Sequence, residues 1–434
     1  GKHNVLSEDV EFQAATGKFS VLLYKAEMEG SYRSKTYAGF HSLGLQDYMG
    51  QGEALIGILD MFYDLKPGTI TPEEYRQFCS PVVPLAQFPK YIWTSGETFT
   101  ALMQVSNFSA DSIEQPIIWK LTAKDGKTLK QSVFKKALPQ GAVTDLGEIS
   151  VKLDTDIPLA CTLELTVEGT AYKNTWPIWI YPAEQKIDES KVIVAEGLDE
   201  KSIESLNAGK TVVLMAASCM TAENTHRNTF LPVYWSIGCF PGQPRTLGLT
   251  CDPEHPLFKL FPNEGHCDWQ WYDILNDSTT MILNGVPADY RPIVQPVDDF
   301  HLGRKLGTIF ESKVGKGKLL VCVYPLRKRL DSPACKQLYA ALLDYAASSD
   351  FEPKTELPID WLKANLTALT PVKVTGKNPI GSTPAALWVR VAEKIEPVQE
   401  NVPYSPDLDV VEVQEDGFSY ALKGEGTWRD DGGR

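Results

Sequence analysis

Hydrophobic and polar positions alternate in three different rhythms along this chain, and the changes of rhythm divide it. From Ser7 to Arg33 the apolar residues Phe19, Leu22, Leu23 and Ala26 keep a helical stripe. Ser7 can cap this helix, and Asp9 and Glu11 fall in its first turn. The stretch Tyr37 to Asp64, YAGFHSLGLQDYMGQGEALIGILDMFYD, then reads as one strand–loop–helix unit. Ala38 to Leu45 is a small, apolar, buried-strand pattern. Gln46 to Gly52 is a polar, glycine-punctuated turn, and Glu53 to Asp64 spaces Leu55, Ile56, Leu59, Phe62 and Tyr63 as an amphipathic helix. A capped short helix follows at Thr71 to Phe78, with Pro72 at its first position, and then the Pro-rich crossing SPVVPLAQFPKY.

Between Ile92 and Tyr181 the period shortens to two. Phe99–Val105, Ile117–Leu121, Leu146–Val151, Ala160–Val167 and Asn174–Tyr181 predict strands, with a turn at Asp125-Gly126. Many short strands without a helical pattern predict an immunoglobulin-like β-sandwich. The third rhythm alternates strand and helix. KVIVAEG, TVVLMAA, Phe310–Glu311 and Lys318–Tyr324 predict strands of an α/β unit with a parallel central sheet. LDEKSIESLNAGK, ending at Gly209, and Cys335–Ala347 predict its helices. The remainder predicts a helix at Ile359–Leu366 and strands at Leu387–Val391, Leu408–Val413 and Phe418–Leu422. The expected fold is therefore multidomain, α/β plus all-β: an α/β segment over 1–88, a β-sandwich over 89–185, an α/β unit over 186–352 and a small β-rich tail over 353–434.

The bulk numbers narrow the partners. The chain has 434 residues, a net charge of −14 and no Lys/Arg cluster, which argues against nucleic acid or an anionic membrane surface as partner. No apolar run reaches the roughly 18 residues of a membrane span. The opening GKHNVLSEDV has no secretory-leader pattern, and a mature start would look the same. The eight cysteines fall mostly in apolar runs, as buried thiols do. Cys239, Cys251, His255, His266 and Cys267 lack the CxxC or HxxxH spacing of a zinc site, so neither metal nor cofactor is expected.

Two places offer chemistry. In α/β folds ligands sit in the loop after a strand, which nominates Gln46, Asp47 and Gln51. In the long segment Asn224 to Asp273, Trp235, Trp269 and Trp271 stand near His266 and Asp268, and aromatic faces with polar groups suit a sugar ring. The competing reading is that these rings anchor a long loop to the core. Asp47 alone cannot supply the two carboxylates of a glycosidase. There is no GxSxG elbow. Cys219 follows a strand in AASCMTAE and invites comparison with a thiol nucleophile, though its flanking glycines are missing. GKGK at 315–318 lacks phosphate-loop spacing and predicts a hairpin turn.

These stretches also carry a resemblance. GFHSLGLQDYMGQGEALIGILDMFYD with TPEEYRQFCSPVVPLAQFPK resembles the last βα unit of the catalytic barrel in Bacteroidetes-type glycoside hydrolases related to family 2, the β-galactosidase/β-glucuronidase group. TWPIWIYP resembles the closing strand of the sandwich that follows that barrel. TLGLTCDPEHPLFKLFPNEGHCDWQWYD, PIVQPVDDF and VGKGKLLVCVYPL resemble its accessory α/β domain, which is similar to class I amidotransferases without their catalytic residues. The resemblance implies a partial barrel segment over 1–88, a carbohydrate partner and a periplasmic or extracellular setting. It also implies that Gln46, Asp47 and Gln51 orient substrate at the barrel mouth. Both catalytic Glu residues of the family would precede residue 1. The resemblance therefore implies the C-terminal part of such an enzyme, without turnover of its own.

Overall fold

The computed structural model describes residues 3–34, 37, 39–48, 56–221, 223–231, 246–299 and 302–367, with the backbone of 408–413 and 420–425. A short 3-10 turn, Leu6–Glu8, leads into helix α1, Asp9–Arg33. Helix α2, Pro72–Tyr75, is held by a reciprocal capping box: Glu74 N–H donates to Thr71 Oγ1 at 3.2 Å, and Thr71 N–H to Glu74 Oε2 at 2.8 Å.

Eight strands build a sandwich: β1 Val82–Gln87, β2 Ile92–Thr94, β3 Thr98–Asn107, β4 Ile117–Ala123, β5 Thr128–Phe134, β6 Ala142–Lys152, β7 Leu159–Val167 and β8 Lys173–Tyr181. One sheet has the order β1-β3-β6 and the other β2-β8-β7-β4-β5. Alternation along β4 buries Ile117, Trp119, Leu121 and Ala123 against Phe99, Met103 and Val105 of β3, and one core lies between the two sheets. Asp125-Gly126 makes the turn between β4 and β5, with Gly126 at φ +91°. Three strands, β1, β2 and β5, were not legible, and β2 is only three residues long. β5 is largely exposed and polar. β1 lies in the Pro-rich crossing, where its edge position tolerates Pro84 because one side of the strand has no ladder to break.

A six-stranded sheet follows, with the order β12-β14-β16-β17-β10-β9. Its strands are β9 Ile193–Ala195, β10 Thr211–Met215, β12 Thr246–Cys251, β14 Val294–Asp298, β16 Ile309–Val314 and β17 Gly317–Cys322. β11 Thr225–Arg227, β13 Thr279–Ile282 and β15 Leu306–Gly307 form a small separate sheet. The expected parallel sheet is only half right. β9, β10 and β17 run parallel, whereas β16, β14 and β12 are antiparallel to their neighbours. The cause is the tight hairpin at 314–317, which returns β16 directly onto β17 where a crossover helix would be needed for a parallel pair.

Both faces of this sheet are covered, which explains the unbroken apolar runs of its strands. Val213, Met215, Leu320 and Cys322 face helix α5, Pro333–Ala347. Val212, Leu214, Leu319 and Val321 face the other way, onto Leu206 of α3, Glu200–Asn207, and onto Leu362 and Leu366 of α6, Ile359–Leu366. The four-residue helix α4, Tyr272–Leu275, closes the segment after β12. Leu408–Val413 and Tyr420–Glu425 pair antiparallel. The expected strand at 387–391 lies outside the described residues.

Among the described residues, the strand and the helix expected between positions 38 and 64 do not form. Residues 39–45 form no strand, and Gly44 sits at φ +81°, outside extended geometry. Residues 56–64 form no helix. Asp60 Oδ1 accepts from the N–H groups of Phe62 and Asp64 at 2.8 and 2.9 Å, and Tyr63 takes φ +68°, so the chain turns where a helix would continue. The two halves meet in a minimal ladder, Asp47 N–H to Leu59 O and Leu59 N–H to Leu45 O at 3.0 and 2.9 Å. Phe62 and Tyr63, the expected apolar face, are exposed. No barrel forms among the described residues, and the expected barrel stave is corrected to a looped strap.

Candidate functional site

Helix α1 does two jobs. Ala15, Phe19 and Leu23, spaced by four, are buried, and Phe19 and Leu23 join the core of the six-stranded sheet, where Phe19 meets Phe230 edge-on at 4.9 Å. A neighbouring face of the same helix carries Asp9, Gln13, Thr16 and Ser20 into a cavity of about 830 Å³. The opposite walls are the strap (Asp47, Ile56, Gly57, Lys66) and the end of β14 with the turn behind it (Asp298, Asp299, Leu302, Arg304).

Two ion pairs shape that cavity. Asp47 is buried, and its Oδ1 accepts from Gly57 N–H at 2.9 Å and from Lys66 Nζ at 2.7 Å. Gly57 is required here because a Cβ would meet the backbone of Gln46 and Asp47 at 2.3–2.4 Å. Asp298 is held from both sides. Arg304 donates from Nε to Oδ2 at 2.7 Å and from Nη2 to Oδ1 at 3.0 Å, and Arg304 N–H reaches Oδ2 at 2.8 Å. This bidentate geometry is the strong form of such a pair, and it raises the Arg304 pKa above its ordinary value.

Of the residues singled out in the sequence, Asp47 lines the cavity. Gln46 pairs with Leu59 beside it and points elsewhere, as strand alternation requires. Gln51 and Trp235 lie outside the described residues. His266, Asp268, Trp269 and Trp271 are not part of the cavity. Trp271 is fully buried, and Trp269 stacks on Tyr91 at 4.9 Å with the ring planes 6° apart, so both rings serve the core and the seam to the sandwich. The anchoring alternative describes this placement. Burial lowers the His266 imidazole, whose Nδ1 meets Cys267 O at 3.2 Å. Burial also raises the Asp268 carboxyl to about 8.

Cys219 is a packed thiol. It is buried, its Sγ donates to Ala216 O at 3.6 Å, and burial raises the thiol to about 12, where little thiolate forms. In the native protein Cys219 should be alkylated by iodoacetamide far more slowly than a model peptide thiol, and at the peptide rate once unfolded. Peptide mapping of the labelled protein checks this.

Sequence reasoning missed Lys66, Asp298 and Arg304. PIVQPVDDF carries only a resemblance, although its acid pair with Arg304 shortly after it at a strand end is a usable signal.

Comparisons with known proteins match two family models, both described as domains of unknown function: DUF8488 over residues 97–182 and DUF8487 over residues 193–367. No curated protein matches the chain. Among solved structures, the chain is similar to a Paenibacillus cycloisomaltooligosaccharide glucanotransferase at 9% identity and TM-score 0.20, over 31% of this chain and 20% of that one. It is similar to a Parabacteroides merdae β-glucuronidase at 14% identity and TM-score 0.19, over 31% and 21%. A putative β-galactosidase from Bacteroides fragilis matches at 9% and 0.18, over 31% and 24%. The chain thus spans about a fifth to a quarter of the length of these structures. TM-scores this low do not establish a shared fold.

Proposed function

We propose that this chain is a carbohydrate-active protein that binds a sugar in the cavity between α1, the strap and the end of β14, without cleaving a glycosidic bond itself. The observation that carries the reading is the composition of that cavity. A stripe of amide and hydroxyl groups (Gln13, Thr16, Ser20) faces charged pairs across an apolar floor that includes Phe12 and Leu247. Its size, about 830 Å³, falls within the range of small-ligand sites. Hydroxyl-rich ligands use such convergent donors and acceptors, and their C–H faces use the apolar floor.

Hydrolysis would need a carboxylic acid free to deliver a proton and a second carboxylate placed against it. Asp47 and Asp298 are each held by a cation of the same wall, Lys66 and Arg304, so neither carboxyl is free to face a glycosidic oxygen. The fuller form of the reading is the C-terminal region of a family 2-like β-glycosidase, with an immunoglobulin-like sandwich and an amidotransferase-like α/β layer, in the periplasm or outside the cell. It rests on the sequence resemblance. Among the described residues no helix is long and apolar enough to cross a membrane.

Calorimetry of the full chain with β-galactosides, β-glucosides and plant oligosaccharides should give binding heat with at least one of them. Thr16→Trp, which obstructs the cavity from α1, should abolish that heat while circular dichroism stays unchanged. Aryl β-glycosides should not turn over. Absence of heat with every sugar would sink the binding claim, and turnover would sink the non-catalytic one.

A further inference from the structure

The charged groups of the cavity are unequal in number. Among the described residues four carboxylates line it, Asp9, Asp47, Asp298 and Asp299, against two basic side chains, Lys66 and Arg304, with one imidazole, His3, at the same wall as Asp9. Each cation is already engaged by a carboxylate of the same wall. Lys66 Nζ lies 2.7 Å from Asp47 Oδ1, and the Arg304 guanidinium holds both oxygens of Asp298. Cations just outside the cavity are committed as well. Lys305 donates to the carbonyls of Ala288 and Tyr290 at 3.1 and 2.7 Å and lies 3.5 Å from Glu8, and Arg291 pairs with Glu11. A ligand carboxylate entering this space would meet a surplus of negative charge, and it could gain a guanidinium or ammonium only by displacing the carboxylate that holds it.

From this imbalance we infer that the cavity discriminates by charge, accepting neutral or amino sugars and rejecting uronic acids. The inference rests on the reading of the cavity as a sugar site and adds its specificity. Rejection of this kind works by like-charge repulsion and costs the accepted ligand nothing. Asp9 contributes to it from the first turn of α1, exposed to solvent at the cavity wall. A uronide and its parent glycoside share ring and anomeric geometry and differ at C6, so the comparison isolates charge from shape.

The test is calorimetry of the full chain with two matched sets of probes at low ionic strength. One set is methyl β-glucoside, methyl β-glucosaminide and methyl β-glucuronide, and the other is their galacto counterparts. In the set that binds, the neutral glycoside should bind at least about tenfold more tightly than its uronide, and the amino sugar should match or exceed the neutral one. Added salt should narrow the gap, since it screens the repulsion. Asp9→Lys should raise uronide affinity relative to the neutral glycoside. Uronide binding equal to or tighter than neutral binding overturns the inference while leaving the sugar site standing. No heat with any probe overturns the sugar site, and the inference falls with it.

Discussion

Replacing Glu29 by alanine is expected to lower the unfolding free energy by about 3–5 kcal/mol, the usual cost of removing one partner from a buried charge network. Glu29 sits one turn from the end of α1 and is 4% exposed. Its Oε1 accepts from Asn174 Nδ2 at 2.8 Å and from Lys25 Nζ, and its Oε2 accepts from Trp176 Nε1 at 2.9 Å. Arg33 lies 3.6 Å away. Asn174 in turn donates to Pro84 O at 2.9 Å, and Lys25 lies over the Trp176 ring at 4.9 Å. One carboxylate therefore ties α1 to β8 and, through Asn174, to β1. Alanine would take the counter-charge from the buried Lys25 ammonium, leaving it Asn174 Oδ1 at 2.6 Å, and would strand the Trp176 indole N–H. Urea unfolding of the variant measures the loss. In the double variant Lys25→Met with Glu29→Leu, the stranded charge is gone and much of the stability should return. A loss below about 1 kcal/mol in Glu29→Ala would show that α1 is held by its apolar face alone.

That dependence matters for the cavity, because α1 spans it from end to end. At the other terminus Gln295 Nε2 donates to the buried Glu8 at 2.7 Å, and Lys305 stands 3.5 Å from the same carboxylate. The helix is pinned to the six-stranded sheet by Glu8 and to the sandwich by Glu29. Asp9, Gln13, Thr16 and Ser20 are presented from between these pins.

What the sequence disclosed follows the reach of each signal. Strands β3, β4, β7 and β8 were legible because alternation with one buried face leaves a period-two record. Helix α6 was legible from its apolar spacing. Gly209, just past α3 at φ +84°, was legible because a helix end there needs a residue without Cβ. The strap was misread for the same reason that those succeeded. Leu59, Phe62 and Tyr63 keep helical spacing, but the Asp60 side chain captures the backbone N–H groups that a helix would use. Residue type could not separate the two readings of Trp269 and Trp271, because burial of a ring is decided by what packs on it, here Tyr91 and Phe261. The cavity was mostly illegible, since it joins residues near positions 9–20, 47–66 and 298–304 that only the fold brings together. Asp47 was found through a strand that does not form, and its partner Lys66 lies beyond the stretch that drew attention.

Asp268 gives the chain a pH dependence of definite sign. The carboxyl is fully enclosed, with Oδ1 accepting from Gln270 N–H at 2.9 Å and Oδ2 without a hydrogen-bond partner among the described residues. Burial, reinforced by the charge of Glu264, lifts it from an ordinary 3.8 to about 8, so the folded protein keeps a proton that the unfolded chain has released. The contribution is complete below about pH 4 and is lost as pH rises through about 8, costing roughly 2–5 kcal/mol across that window. Asp268→Asn places an uncharged group of nearly the same shape at the site, keeps the Oδ1 acceptor and removes the proton. Unfolding free energies of the two proteins, taken as a difference, should therefore diverge with rising pH, the asparagine variant being the more stable on the alkaline side. The difference cancels His255 and His266, whose imidazoles burial holds below their usual range and which weaken both proteins on acidification. Parallel curves between pH 4 and pH 8 would mean that the buried carboxyl is ionised in the folded chain, stabilised by contacts beyond the Gln270 N–H that now faces Oδ1.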